Sequence, residues 1–113
     1  VHNLIINKMA IKVNNTAESK EGLTIPSGYL IGFDMIIPDN TKELHYSPKV
    51  YISEQARTEG KSQVYPEFIG KLSHVYKPTD AEFASLNPIA VNTFYQTYLE
   101  TLEEIGTDTE IIL

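Results

Sequence analysis

Cysteine and tryptophan are absent from this chain of 113 residues, and arginine occurs once, at Arg57. Without cysteine neither a disulfide framework nor a thiolate metal site can form. A reducing compartment is therefore allowed without being required. No apolar run approaches the roughly 20 residues of a membrane span. The opening VHNLIINK lacks the long apolar core expected of a signal peptide. An internal MAIKV beginning at Met9 has the form of an ordinary translation start, which would shorten the first strand without removing it.

Positive charge is also scarce. Nine Lys and Arg against 15 Asp and Glu leave a net charge of −6. Phosphate backbones are bound by clustered basic residues, so nucleic acid is a poor candidate for the main ligand. The deficit is uneven. From Pro78 to Leu113 there is no Lys or Arg, while Asp80, Glu82, Glu100, Glu103, Glu104, Asp108 and Glu110 fall in that segment. The plain reading is a solvated acidic face. The sharper one is an acidic surface that meets a basic partner or a neighbouring copy.

Catalytic signatures are missing too. The chain holds no G-x-S-x-G, P-loop or G-x-G-x-x-G. His2, His45 and His74 are far apart and form no metal-ligand pattern, so structural roles are expected for each. His45 and His74 could face each other if they lay on neighbouring strands.

What is present suits one globular domain over residues 1–113. Hydrophobic residues make up 42% and charged residues 21%, ordinary proportions for such a domain. A chain of this size buries roughly 65% of its unfolded surface. Leu4 to Val13 reads as a strand from the parity of Ile5, Met9, Ile11 and Val13. Asn14 to Gly22 is a polar loop, and IPSG at residues 25–28 is a turn signal. Tyr29 to Ile37 is apolar on both faces, as a central strand is. PDNT at residues 38–41 is a turn. Leu44 to Ser53 is a strand edged by Pro48, and Phe68 to Tyr76 is another.

The period then changes. Thr79 and Glu82 stand at capping-box spacing and start a short helix from Asp80 to Leu86. Asn87 and Pro88 start a second. In it Val91, Phe94, Tyr95, Tyr98, Leu99, Leu102 and Ile105 keep helical spacing as far as Gly106. TEIIL at the end is expected to add a short strand. The expected fold class is α+β: a small antiparallel or mixed sheet of four to five strands, a short helix, and a long C-terminal amphipathic helix packed on one face.

Two regions carry the candidate functional residues. One is an arm from Ser53 to Tyr65 that connects two strands. It holds Glu54, Arg57, Glu59 and Lys61, and it is bordered by Tyr46, Tyr51 and Tyr65, whose large bodies with polar tips suit interfaces. The other is the Glu103–Glu104 pair, set near a helix C-terminus where negative charge is mildly unfavourable. Asp34 stands in an otherwise apolar strand. It marks either a partly open or partner-covered sheet face, which is the favoured reading, or a buried functional carboxylate.

The strand ending VYIS, the string SEQARTEGK, a further strand and a C-terminal helix ending LEEIG resemble small structural proteins of tailed bacteriophages and prophages, particularly those infecting Bacteroidetes. The resemblance spans roughly residues 24–106, and its specific part is the short Y-x-S-x-x-x-A-R-x-x-G-K string. It implies a non-enzymatic virion protein of a tail, baseplate or head–tail connector region, made in the bacterial host cytoplasm. Such a protein would assemble with copies of itself and with other virion proteins. It implies no cofactor, metal, nucleic acid, membrane or small-molecule substrate. In that setting the arm and the Asn14–Gly22 loop are expected to be mobile in the monomer and to order against neighbouring subunits. The alternative expectation is a small ligand- or protein-binding module that uses the sheet face near Asp34. A small acid–base enzyme, needing a cleft that joins Asp34 to a histidine, ranks third.

Overall fold

A computed structural model describes residues 5–112, with side chains from Met9 onward. His2, the Leu4 start of the first strand and the Leu113 end of the last lie outside the described residues. Seven strands and three α-helices run in the order β1 (Ile5–Val13), β2 (Ala17–Glu18), β3 (Thr24–Ile25), β4 (Tyr29–Ile36), β5 (Leu44–Tyr51), α1 (Glu54–Thr58), β6 (His74–Tyr76), α2 (Asp80–Ala84), α3 (Pro88–Leu99) and β7 (Thr109–Ile112). Five strands form one antiparallel sheet in the order β6-β5-β4-β1-β7, and β2 pairs with β3 in a small hairpin. This is the α+β architecture that the pattern implies.

Parity divides the sheet into two faces. On the first, Met9, Ile11 and Val13 of β1, Tyr29, Ile31, Phe33 and Met35 of β4, and Leu44, Tyr46 and Val50 of β5 are all buried. Successive strand side chains alternate between faces, so Ala10, Leu30, Gly32 and Asp34 belong to the second. Ala10 and Leu30 are fully buried there, as expected for a strand covered on both sides. Pro48 sits in β5 opposite Phe33. β6 pairs only with Leu44–Tyr46, so Ser47–Lys49 have no strand neighbour on that side. A proline is tolerated there because an open edge needs no donor.

α3 closes the first face. Asn87 accepts the Ala90 N–H at its N-terminus, Pro88 occupies the first turn, and Val91, Tyr95 and Leu99 are buried at intervals of one turn. Tyr95 packs against Phe33 and Tyr46 with ring centroids 4.8 and 4.7 Å apart. The Tyr46 hydroxyl donates to the Val91 carbonyl at 2.7 Å, and the Tyr95 hydroxyl to the Leu72 carbonyl at 2.6 Å. Burial pushes both phenols far above their ordinary pKa, so they remain neutral donors. The Thr79–Glu82 capping box starts α2 as expected.

Three expected elements differ. The long helix ends at Leu99 rather than Ile105, giving about 18 Å of helix instead of about 27 Å. At that point the Thr101 hydroxyl takes the Tyr98 carbonyl at 2.6 Å, which competes with the helical ladder. Tight turns then carry Ile105 into the core with full burial. The expected strand from Phe68 to Tyr76 is instead a 3₁₀ turn over Ile69–Lys71 followed by β6. Phe68 and Leu72, both buried, are four residues apart and face one core across a turn, not a strand.

The third difference is the arm. Residues 54–58 are helical. Ser53 accepts the Ala56 N–H at 3.0 Å. Gly60, at φ +70°, ends the helix in a Schellman arrangement in which Lys61 N–H reaches the Ala56 carbonyl at 2.9 Å and Gly60 N–H reaches the Arg57 carbonyl at 3.1 Å. The Asn14–Gly22 loop is likewise fastened to its own chain: Lys20 N–H bonds the Tyr65 carbonyl and Glu67 N–H the Glu18 carbonyl, both at 2.9 Å. Both segments expected to be mobile in the monomer are thus hydrogen-bonded to their own chain.

Replacing Tyr95 by Ala should lower the unfolding free energy by about 3–5 kcal/mol, since it removes a fully buried ring. Tyr46→Phe, which deletes one hydroxyl, should cost about 1 kcal/mol. Urea denaturation of the two variants checks both the size and the order.

Candidate functional site

Among the described residues, two concavities hold Tyr51, Arg57 and Tyr65, from the arm and its borders. The first is a cleft on the second face of the sheet, lined by Gly32, Phe33, Asp34, Lys49, Tyr51 and Arg57, with a volume of about 100 Å³. Its floor is Gly32. A Cβ there would stand 3.2 Å from Arg57 Nε and 3.6 Å from a Tyr51 ring carbon. A glycine inside a strand marks a close approach, and here the group that approaches is a guanidinium. The turn into α1 brings Arg57 back over β4, where one of its terminal nitrogens donates to the Met9 carbonyl at 3.3 Å. Lys49, paired opposite Gly32, holds its ammonium 3.8 Å from the Asp34 carboxylate. Asp34 is 39% exposed at its side chain, so the partly open sheet face is the reading that fits. No histidine lines this cleft.

The second surface is a groove of about 220 Å³ beside the β2–β3 hairpin. Leu23, Ile52 and Tyr65 line it, and they are 69, 43 and 49% exposed. Val64 and the buried Ile25 form its base, and Ser19, Glu21 and Gln63 contribute polar groups to its wall. Ser19 fixes the hairpin: its hydroxyl accepts the Leu23 N–H at 3.0 Å, which leaves the Leu23 side chain outside.

The residues singled out from the sequence separate accordingly. Arg57 and Tyr51 meet in the cleft, and Tyr65 lies in the groove. Glu54, Glu59 and Lys61 are exposed on or just after α1, with Glu59 bonded to Gln55 at 2.9 Å and 4.0 Å from Lys61. Tyr46 is corrected: it is 3% exposed, lies in the core and is no surface candidate. Its position on β5 turns it to the first face, whereas Tyr51, an odd number of residues on, turns to the second. Glu104 pairs with Lys71 at 2.6 Å, and that hydrogen bond holds its carboxyl below the ordinary range. Glu103 is exposed beside it.

His45 and His74 lie on adjacent strands but not opposite each other. His45 is paired with Val75, and His74 with Tyr46, so by strand parity they start from opposite faces, although both border one open concavity at the β5–β6 edge with Ser47 and Ser73. His45 meets Glu43 at 3.2 Å, and His45 and then Lys77 draw the Glu43 carboxyl down from its ordinary pKa. His74 stacks on Tyr98 with centroids 3.9 Å apart. Among the described residues no three acidic or histidine side chains are grouped as metal ligands, and no helix is long and apolar enough to cross a membrane.

The groove was not legible in the sequence, since Leu23 stands alone after the polar Asn14–Gly22 loop and Ile52 lies just beyond β5. The signals for Arg57 in a folded position were present, in Ser53 as a helix cap and Gly60 as a stop. Comparison with protein-family models, with curated proteins and with solved structures finds no match to this chain.

Burial lowers the His74 pKa below its ordinary 6.5. The folded state therefore favours the neutral ring, and protons bind the unfolded chain first. Stability from this source is complete above the unfolded value and is lost as pH falls from about 6.5 through the folded pKa. Glu43, Glu82 and Glu104, whose pKa values are also lowered from 4.5, lose theirs only at more acid pH. Urea midpoints should fall between about pH 7 and pH 5.5, and in His74→Phe that fall should shrink.

Proposed function

We propose that the chain is a non-enzymatic structural protein of a phage virion that works by assembling with copies of itself and with other virion proteins in a tail, baseplate or connector region. The observation that carries the assembly part is the groove. Three of the large hydrophobic side chains that stand exposed, Leu23, Ile52 and Tyr65, line one concavity with polar groups in its wall. Scattered apolar residues need no explanation, whereas a rimmed cluster is the usual mark of a contact surface. Tyr65 supplies a rigid ring with a polar tip at its edge, a side chain enriched among contact residues. The virion setting rests on the SEQARTEGK resemblance.

A second reading, a small ligand- or protein-binding module on the sheet face at Asp34, is favoured by the cleft over Gly32, which places two basic groups beside that carboxylate.

Purified protein at high concentration should form oligomers by light scattering, seen as rings or fibres in negative stain. Leu23→Asp and Tyr65→Asp should each shift it to monomer with the melting temperature unchanged. A wild-type protein that stays monomeric at millimolar concentration overturns the self-assembly reading. Genes for a portal, tail tube or baseplate beside its own would support the virion assignment, and their absence would count against it.

A further inference from the structure

Arg57 is the only arginine of an acidic chain, and the fold spends a glycine to seat it. Gly32 is the position in β4 where the second face lacks a side chain, and the Arg57 guanidinium occupies the space a Cβ would crowd. A guanidinium offers five N–H donors. Among the described residues, the acceptor it finds is the Met9 carbonyl at 3.3 Å, and no carboxylate forms an ion pair with it. Most of its donor capacity is left over, in a half-buried position beside a concavity. Charged donors at such a place are strong binders of planar anions.

We propose that the cleft over Gly32 is a carboxylate-binding site, in which Arg57 grips the ligand through its fork and Lys49 adds a second positive charge. This deepens the second reading above and does not depend on the groove. Two features suit a carboxylate. The volume, about 100 Å³, is several times what one water needs and accommodates a carboxylate with its first carbons. The charge balance also suits a monoanion. Arg57 and Lys49 against Asp34 leave one net positive charge, whereas a phosphate dianion would stand uncompensated beside Asp34. The Tyr51 ring beside the Gly32 floor gives the ligand's first carbons an apolar wall. The carboxylate comes either from a small free organic acid or from an acidic side chain of a neighbouring copy, whose last third is rich in them.

The chain, labelled with ¹⁵N, is titrated with sodium acetate, and with sodium chloride at matched ionic strength. Acetate should produce saturable shifts at the Gly32 amide and the Arg57 Nε–H, and chloride should not. Arg57→Gln should weaken acetate binding about tenfold or more, Lys49→Gln by a smaller factor, and Asp34→Asn, which removes the competing carboxylate, should tighten it. The proposal is overturned by acetate shifts no different from those of chloride, by unchanged affinity in a folded Arg57→Gln or Lys49→Gln, or by weaker binding in Asp34→Asn. Light scattering separates the sources: acetate that disperses oligomers assigns the site to a neighbour's carboxylate, and acetate that binds without dispersing them assigns it to a free acid. Tyr65→Asp should bind acetate as the wild type does, so failure of the groove reading and failure of this one give different results.

Discussion

The contact of Tyr95 with Phe33 and Tyr46 holds the two layers of the molecule together. One ring comes from the long helix and the other two from adjacent central strands, with the Phe33 and Tyr46 rings edge to face at 5.3 Å. Edge-on and offset aromatic contacts add specificity beyond the area they bury. Both tyrosines must also place a hydroxyl, and both do so on a backbone carbonyl, one on the helix and one just beyond the 3₁₀ turn. The rings thus fix the helix to the sheet in distance, and the hydroxyls fix it in register. With α3 on the first face, the second face is left for α1, and that is where Arg57 can reach Gly32.

The two surfaces differ physically. The cleft is built from charges over a rigid strand floor, and its side chains arrive from regular elements. The groove is built from apolar side chains on a hairpin, at the link from β5 to α1, and on the segment that returns from α1. A pair of charges in water has little lasting value, so the half-buried position of Arg57 matters more than the number of charges around it. Apolar side chains at a rim gain only when another surface covers them. A charged seat and an apolar rim therefore ask for different things from a partner, and a partner large enough can supply both.

Much of the architecture was legible in the sequence because periodicity is a property of faces. The two apolar faces of β4, the capping box at Thr79 and the Asn87–Pro88 start of α3 all follow local rules, and the structure keeps them. The errors fall where a local signal is ambiguous or is outvoted by distant contacts. Phe68 and Leu72 suit a strand face or a helical turn equally, and the hydroxyls of Tyr95 and Tyr98 on the Leu72 and Lys71 carbonyls belong to the turn. Tyr46 looked like a rim residue because it neighbours the arm in sequence, but strand parity sends it inward. The groove depends on Leu23 and Tyr65 meeting across a 42-residue separation, which no local rule could supply. The cleft was half visible: Asp34 and Arg57 both stood out, and what could not be read was that Gly32 brings them together.

The sheet's order gives β1 a particular dependence. Its neighbours are β4, which follows after a short hairpin, and β7, the last described element, with Ala10 opposite Ile112 and Val13 opposite Thr109. During synthesis β1 and β4 can pair early, but the far side of β1 stays open until β7, far along the sequence, has emerged. Ala10, Ile11 and Val13 are fully buried in the finished fold, so that waiting edge is apolar and unpaired, the kind of edge that recruits foreign strands. The four residues of β7 therefore bury the β1 edge and become the edge of the sheet in its place.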